Sequence, residues 1–358
     1  MAYTLALGPF APALLGPQRF VFKIDGDTIA DVEYRGGFNE RGCAERLSRL
    51  DLDQSLFLVS RICATCSHAH SMAFCQALEA LFGLDVSPRA AALRSVIAEI
   101  ERVASHLVAL EAIAEALGQS QIAKRFREAW NECRELTNQL CGVPMLPNVC
   151  ELGGLRRDID EERRSALLLA VKRLNRRLFQ LADSLVEQRM LLRRTVEVGA
   201  ISRDAAAQFG LRGPLARAAG LSADARIDQP YAAYAQHPPR VITQEGGDVY
   251  GRWVVLLLEA VESSRLAEAL LSDLPAGAVR GNAPERMPAG SAEGCVEAPR
   301  GLLRYRVISD GRRLSEVTID APRQLDRLLA RALLSGAQLD DAALIVLSTD
   351  PCTACAEA

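Results

Sequence analysis

Two Cys-x-x-Cys clips stand near opposite ends of the chain: Cys63-Ala-Thr-Cys66 in the first fifth, and Cys352-Thr-Ala-Cys355 just before Ala358. Two short clips can offer four thiolates to a single metal. A site shared by both ends of so long a chain requires the whole fold to close around it. A lone clip is also compatible with a thioredoxin-like redox pair, half of a zinc site, or two unrelated buried thiols. The thioredoxin reading needs a βαβ setting, which neither flank supplies. Spacing alone therefore leaves open a metal site of some kind, zinc included, and unrelated thiols.

Composition narrows the setting. At 358 residues and 49% hydrophobic the chain can bury a large core in one domain or two. A formal charge of −3 and a pI near 5.9 offer no nucleic-acid-binding surface, and the arginines are interleaved with acids as on solvated helix faces. The N-terminus lacks a basic segment followed by an apolar run, and no apolar stretch reaches the roughly 18 residues of a membrane span. Ten cysteines without an export signal fit a reducing compartment, where thiols serve metals or redox chemistry. The expectation is a cytoplasmic protein with no direct membrane span.

Residues 18–34 alternate around Asp25-Gly26 and predict a hairpin. A helical pattern over 47–84 contains the first clip. Pro88 opens a strongly periodic helix closed by Gly118, a second helix covers about 121–141, and a long one runs from roughly 160 to 198. Glycine and proline break up 199–248, which reads as irregular packed loops. A helix over about 249–273, a hairpin over 302–319 around Asp310-Gly311, a short helix near 322–335 and a strand over Ala343–Leu347 complete the reading. The fold class is α+β, mainly α: a large helical core with small peripheral antiparallel sheets. It forms one domain over 1–358, comprising an N-terminal hairpin region (1–46) and a helical core with the first clip (47–200). Loops plus a helix (201–300) and a C-terminal hairpin with the second clip (301–358) complete it.

The flanks of the clips sharpen the metal reading. Arg61-Ile-Cys63-x-x-Cys66-Ser-x-Ala-His70-Ser71 with Ser348-x-Asp-Pro-Cys352-x-x-Cys355 resembles the large subunit of nickel–iron (NiFe) hydrogenases. Within that superfamily it looks most like the branch of membrane-associated hydrogenases and the related complex I subunit. Gly8-Pro-Phe-Ala-Pro12, Gly37–Gly42, Ala98-Glu-Ile-Glu-Arg102 with Ser105-His-Leu107, Asp228-Gln-Pro-Tyr231, Gly247-Asp-Val-Tyr250 and Glu297-Ala-Pro-Arg-Gly301 are similar to that branch in the same order. The resemblance spans nearly the whole chain.

It implies that Cys63 and Cys352 are terminal nickel thiolates, while Cys66 and Cys355 bridge nickel to an iron carrying cyanide and carbon monoxide. Arg300 would overhang the metals as a fixed positive neighbour. Ser348 would hydrogen-bond a cyanide, and His70 would bond a bridging thiolate and tune it. His68 has no role in the pattern and reads as structural or surface. Cys75, Cys133, Cys141, Cys150 and Cys295 read as buried small hydrophobes, with Cys43 the one to test.

Three departures count against ordinary turnover. The family's Arg-Gly-x-Glu supplies a proton-relay carboxylate, whereas here Arg41-Gly42-Cys43-Ala44-Glu45 puts alanine in that place. Glu45, one residue along and so turned by about 100° on a helix, reads as a solvated charge. The chain also stops three residues after Cys355, without the extension that many precursors carry, and Ala64-Thr65 replace the usual glycine and branched residue. Ligands retained and relay lost suggest a maturation protein of HupK/HoxV type. Such a paralogue holds iron with its cyanide and carbonyl ligands and is served by a HypC-type maturation chaperone, a hydrogenase large subunit or its assembly machinery. The alternative is a catalytic large subunit that splits dihydrogen and passes electrons to an iron–sulfur small subunit; nickel is possible under either. A third reading, a cofactor-free structural subunit of a complex I-like assembly, is weakened because that role would not require four thiols.

Overall fold

The computed structural model describes residues 1–11, 14, 16–281 and 286–358; Pro12 of the N-terminal motif lies outside them. Three strands, β1 (Ala2–Leu7), β2 (Arg19–Asp25) and β3 (Thr28–Arg35), form an antiparallel sheet in that order. The predicted hairpin is its inner pair. Phe20, Phe22, Ile24, Ile29 and Val32 are its buried face, as period-2 alternation requires. Strand β1, exposed along its length, is an addition to the sequence reading.

The helical stretch over 47–84 is three pieces: α1 (Cys43–Leu47), α2 (Leu52–Val59) and α3 (Ser67–Phe82), with the first clip in the break before α3. Helix α4 (Pro88–Ala116) starts with Ser87 accepting a hydrogen bond from Ala90 N and with Pro88 at its first position, and Gly118 (φ 70°) follows its end. Helix α5 (Ser120–Cys141) returns along it. A short ladder of β4 (Cys150–Glu151) and β5 (Gly154–Leu155) leads to α6 (Glu161–Leu185), capped by Asp160. The predicted helix over 160–198 breaks here, and α7 (Arg189–Thr195) is separate. The Tyr250 hydroxyl donates to Val186 O at the break, and Gln188 has extended backbone (ψ 114°), so α7 leaves the line of α6.

The glycine- and proline-rich region carries α8 (Arg203–Gln208), α9 (Gly213–Arg217) and α10 (Ala225–Asp228), then α11 (Val249–Ser272), capped by Asp248. A second three-stranded antiparallel sheet follows: β6 (Ala289–Ala298), β7 (Gly301–Asp310) and β8 (Leu314–Asp320). The sequence reading found β7 and β8 but not β6, whose Ala-Gly-Ser-Ala-Glu-Gly opening has little strand propensity. Tertiary packing makes it a strand. It pairs with β7 along its whole length and lies so close on α3 that a Cβ on Gly294 would meet Ala73 O at 2.2 Å. Helix α12 (Arg327–Leu334) begins where Asp326 caps Leu329 N.

The predicted strand Ala343–Leu347 is a helix, α13 (Ala342–Ser348), followed by the single turn α14 (Thr353–Ala356). A short apolar run carries no period that separates a buried strand from a buried helix. Among α4, α11 and α12, which α13 packs against, backbone bonds had to be satisfied within the segment, and a helix does that.

The core is helical: α4 lies between α5 and α11, and α11 also packs on α6. Inside it sits an ionic network. Arg226 donates to Glu99 (3.0 and 3.1 Å) and to Asp224 (2.7 and 3.0 Å), while Arg217 binds Glu259 at 2.5 Å and Glu297 at 2.8 Å. Tyr234 donates to Glu99 at 2.6 Å, and His106 Nε2 meets Glu259 at 3.0 Å. Burial alone would raise the carboxyl pKa values, and it does raise that of Glu297, but at three of them the guanidiniums outweigh it: Asp224 is held down at about 2, and Glu99 and Glu259 also lie below their ordinary range. These carboxylates contribute stability that is fully present above the unfolded value near 4 and is lost as pH falls through the folded values. Urea unfolding should therefore show midpoints that are steady from pH 7 to 5 and fall steeply between about pH 4 and 2. Arg226→Met, which strands two buried carboxylates, should cost roughly 3–5 kcal/mol at pH 7.

Candidate metal centre

The first clip occupies the turn between α2 and α3. Ser60 caps the end of α2, Ser67 Oγ donates back to Ser60 O at 2.7 Å, and Cys66 is the N-cap of α3. Glu101, reaching across from α4, accepts from His68 N (2.7 Å) and Ala69 N (2.9 Å). That carboxylate satisfies the free amides of the first turn of α3 and fixes where Cys66 points.

The second clip follows α13. Asp350 has left-handed backbone (φ 51°), an uncommon state for a non-glycine residue, and it turns the chain so that Cys352 can cap α14. Arg300 holds it there, with Nε donating to Asp350 O (2.9 Å) and Nη2 to Asp350 Oδ1 (2.7 Å). The same guanidinium donates from Nη1 to Thr65 Oγ1 of the first clip (2.9 Å) and to Ser105 Oγ (3.3 Å).

The four predicted cysteines meet. Cys63 Sγ lies 3.5 Å from Cys352 Sγ, Cys352 Sγ 3.5 Å from Cys355 Sγ, and Cys355 Sγ 2.9 Å from Cys66 Sγ. The sulfurs of Cys63, Cys66 and Cys355 all fall within 4.8 Å of one another. Thiolates bound to one tetrahedral ion about 2.3 Å away would stand roughly 3.8 Å apart, so these three need only small movements to share a metal, whereas Cys352 touches Cys63 and Cys355 but lies outside that group. Cys63, Cys66 and Cys355 are buried and Cys352 is half-buried.

Their protonation shows what the cluster lacks. Hydrogen bonds from Cys352, Cys355 and Cys66 hold the Cys63 thiol well below its usual range, and Arg300 adds to this. The bond from Cys355 favours a thiolate on Cys352 too, but its bond to Cys63 and burial outweigh that and push it up to about 11. Cys355 is pushed far up by its bonds to Cys352, Cys63 and Cys66. The Cys66 thiol is raised as well, so ionising all four together requires a multivalent positive partner.

His70 lies beside the sulfur cluster. Nε2 is 3.4 Å from Cys355 Sγ, and Nδ1 is 2.7 Å from the Tyr305 hydroxyl. Burial lowers the His70 pKa to about 4 and raises that of Tyr305, so a neutral imidazole faces a protonated phenol. Tyr305 then donates to Nδ1, and Nε2–H donates to the sulfur. His68 is buried and structural, with Nε2 on Arg94 O at 2.9 Å.

Ser348 is buried and lines a cavity of about 10 Å³ with Arg300 and Arg252. Its hydroxyl donates to Ile345 O (2.7 Å) and accepts from Arg252 Nε (2.9 Å), so its proton is already engaged. Arg252, Tyr305, Thr65 and Asp350 are site residues that the sequence reading missed. Only Thr65 and Asp350, inside or beside the clips, carried any signal there. Ala44 is half-buried on α1, and Glu45 is 71% exposed and paired with Arg49, so that carboxylate is turned to solvent. Cys75, Cys133, Cys141 and Cys150 are buried, whereas Cys295 is only partly so.

With this geometry in place, comparison with known proteins places the chain. Residues 117–286 match the family described as respiratory-chain NADH dehydrogenase, 49 Kd subunit. The carbon monoxide-induced hydrogenase of Rhodospirillum rubrum is 31% identical, with 99% of each chain covered. The chain belongs to the NiFe hydrogenase large-subunit-like family, which joins membrane-bound hydrogenases to their complex I counterpart. A subunit of the NADH-quinone oxidoreductase of Clostridium beijerinckii is 29% identical over 97% of this chain and 95% of its own. A chain of the archaeal membrane-bound sulfane sulfur reductase superposes with a TM-score of 0.93 at 25% identity, covering 100% of this chain and 98% of its own. Among the described residues no helix is long and apolar enough to cross a membrane.

Tyr305→Phe removes the donor that sets the His70 tautomer. Nitrogen-15 NMR of the imidazole should show the Nε2–H form in the parent protein and a tautomer mixture in the variant, with stability lower by about 1–3 kcal/mol. An unchanged tautomer would show that something else orients the ring.

Proposed function

We propose that this protein is the large subunit of a membrane-associated hydrogenase-type complex and holds a nickel–iron centre on Cys63, Cys66, Cys352 and Cys355. The observation that carries the reading is the meeting of four sulfurs from the two ends of the chain, three of them buried. The donor set fits the group: soft sulfur donors beside a fixed guanidinium and a neutral imidazole. A bound centre of this kind supplies heterolytic cleavage of dihydrogen.

The chain's own residues supply the setting. His70 donates to Cys355 Sγ and lowers the charge density on that sulfur. Arg300 keeps a positive charge within the thiol cluster while pinning both clips. The turn of the first clip reaches the surface at Ala64, which leaves a short path for electrons to an iron–sulfur small subunit.

The relatives are named as a hydrogenase and as a part of NADH–quinone oxidoreductase, and this favours the enzyme reading over the maturation scaffold expected from sequence. Ala44 and solvent-facing Glu45 are what still favour a scaffold, since a centre without its carboxylate relay turns over slowly.

Metal analysis and infrared spectroscopy of the protein, produced anaerobically with its neighbouring subunits, decide between them. The enzyme reading expects nickel and iron in equal amounts, cyanide and carbonyl bands, and hydrogen–deuterium exchange. Cys66→Ser or Cys355→Ser should remove the bands. Iron with those bands but little nickel would replace this reading by the scaffold, and zinc alone would overturn both.

A further inference from the structure

The loop between β3 and α1 lies over the second clip. It runs from Gly37 (φ 83°) to Gly42 (φ 60°), two left-handed positions that fix its turns. At one end Glu357 clamps it: Oε1 accepts from Gly37 N at 2.8 Å and Oε2 from Asn39 N at 2.6 Å. At the other end Arg41 Nη2 donates to Ile62 O at 2.8 Å and to Ala354 O at 2.7 Å. Those carbonyls immediately precede Cys63 and Cys355, one in each clip. A single NH₂ group thus ties the two backbones together directly beside the sulfurs. Nearby, Gly16 packs so tightly on the tail that a Cβ there would meet Thr353 Oγ1 at 2.1 Å.

We propose that Arg41, anchored through its loop by Glu357, is a positioning residue that holds the second cysteine clip closed against the first. The proposal rests on the reading that both clips serve one centre. It explains why the Arg-Gly part of the Arg-Gly-x-Glu pattern is useful without its carboxylate: the arginine does a separate job on the backbone. Gly37 and Glu357 of the clamp also line a cleft of about 370 Å³, together with Cys352 and Thr353. Releasing Arg41 and Glu357 lets the tail swing into that cleft and opens the sulfur cluster. Loading and retention of a metal then depend on a strap that opens without unfolding α3 or α13.

The test uses the whole chain as the parent protein and as Arg41→Ala, Arg41→Lys and Glu357→Ala. In metal-free protein, alkylation by iodoacetamide is followed cysteine by cysteine by peptide mass. Losing two hydrogen bonds should raise the rate at Cys355 and Cys66 about 10- to 100-fold in Arg41→Ala. Cys75 and Cys133, buried elsewhere, should keep their rates. Arg41→Lys, whose ammonium can still donate to both carbonyls, should recover most of the protection, and Glu357→Ala should behave like Arg41→Ala. Equal rates at Cys355 in the parent and in Arg41→Ala would overturn the clasp, as would an equal rise at Cys75 and Cys133. In a second arm, cobalt(II) loaded on the parent should leave to a chelator faster from Arg41→Ala, and equal release rates would count against the clasp. A parent protein that takes up no cobalt(II) would sink the metal-centre reading alone, because the labelling arm needs no metal.

Discussion

Arg300 reaches from the turn between β6 and β7 into the space between the two clips, where a buried guanidinium must find partners for its donors. It finds them on Asp350, Thr65 and Ser105, and so joins the second clip, the first clip and α4. The left-handed backbone at Asp350 costs on the order of 1–2 kcal/mol, and charge-assisted bonds to its carbonyl and carboxylate offset that. The arginine's own backbone is fixed in turn: Gln324 donates to Arg300 O at 2.6 Å, and Gly213 approaches so closely that a Cβ would stand 2.3 Å from that oxygen. The sheet of β6–β8 and the loop carrying α9 therefore determine where the thiols of the chain's far end are placed.

The thiols make this arrangement one that a cation would complete. Packing four sulfurs within a few ångströms leaves a cluster whose fully ionised form is disfavoured until positive charge arrives. A bound cation would supply the missing charge and favour the folded arrangement of both clips, since an unfolded chain offers no such meeting of its two ends. Hydrogen bonds hold the same geometry in the meantime, from His70 at one sulfur and Arg300 and Arg41 at the backbone on either side. The core beneath is built on the same logic, with buried arginines and carboxylates compensating one another between α4, α10 and α11.

The four cysteines were legible because a two-residue spacing is a local, countable pattern, and His70 was legible because it lies in the same stretch. The long helices were legible too: Pro88, Asp160 and Asp248 start them at positions where the chemistry of the first turn is visible in sequence. What was not legible came from distant packing. Strand β6 forms because β7 and α3 demand it, and Ala342–Ser348 is helical because its surroundings leave its backbone no outside partner. Tyr305 and Arg252 act on the site from β7 and α11, and no spacing rule connects either to a cysteine hundreds or tens of residues away. The displaced carboxylate was read correctly from helix geometry: a single step along α1 turns Glu45 to solvent, where Arg49 meets it.

That displacement separates two properties that usually travel together. Holding a metal needs donors at the right distance, a positive neighbour and a closed backbone, and all three are present around Cys63, Cys66, Cys352 and Cys355. Turning over dihydrogen also needs a base that takes up and releases a proton, and residue 44 has none to offer. Glu40 lines the cleft beside Cys352 and Asp350 Oδ2 is buried without a partner, whereas other carboxyl oxygens near the clips are committed: Glu101 to two amides of α3, Asp350 Oδ1 to Arg300, and Glu357 to the loop amides. Recruiting any of them would loosen the element that it holds. A fast enzyme on this scaffold therefore needs a proton route that bypasses α1, whereas a slow or storage-like centre needs nothing more than the geometry already present.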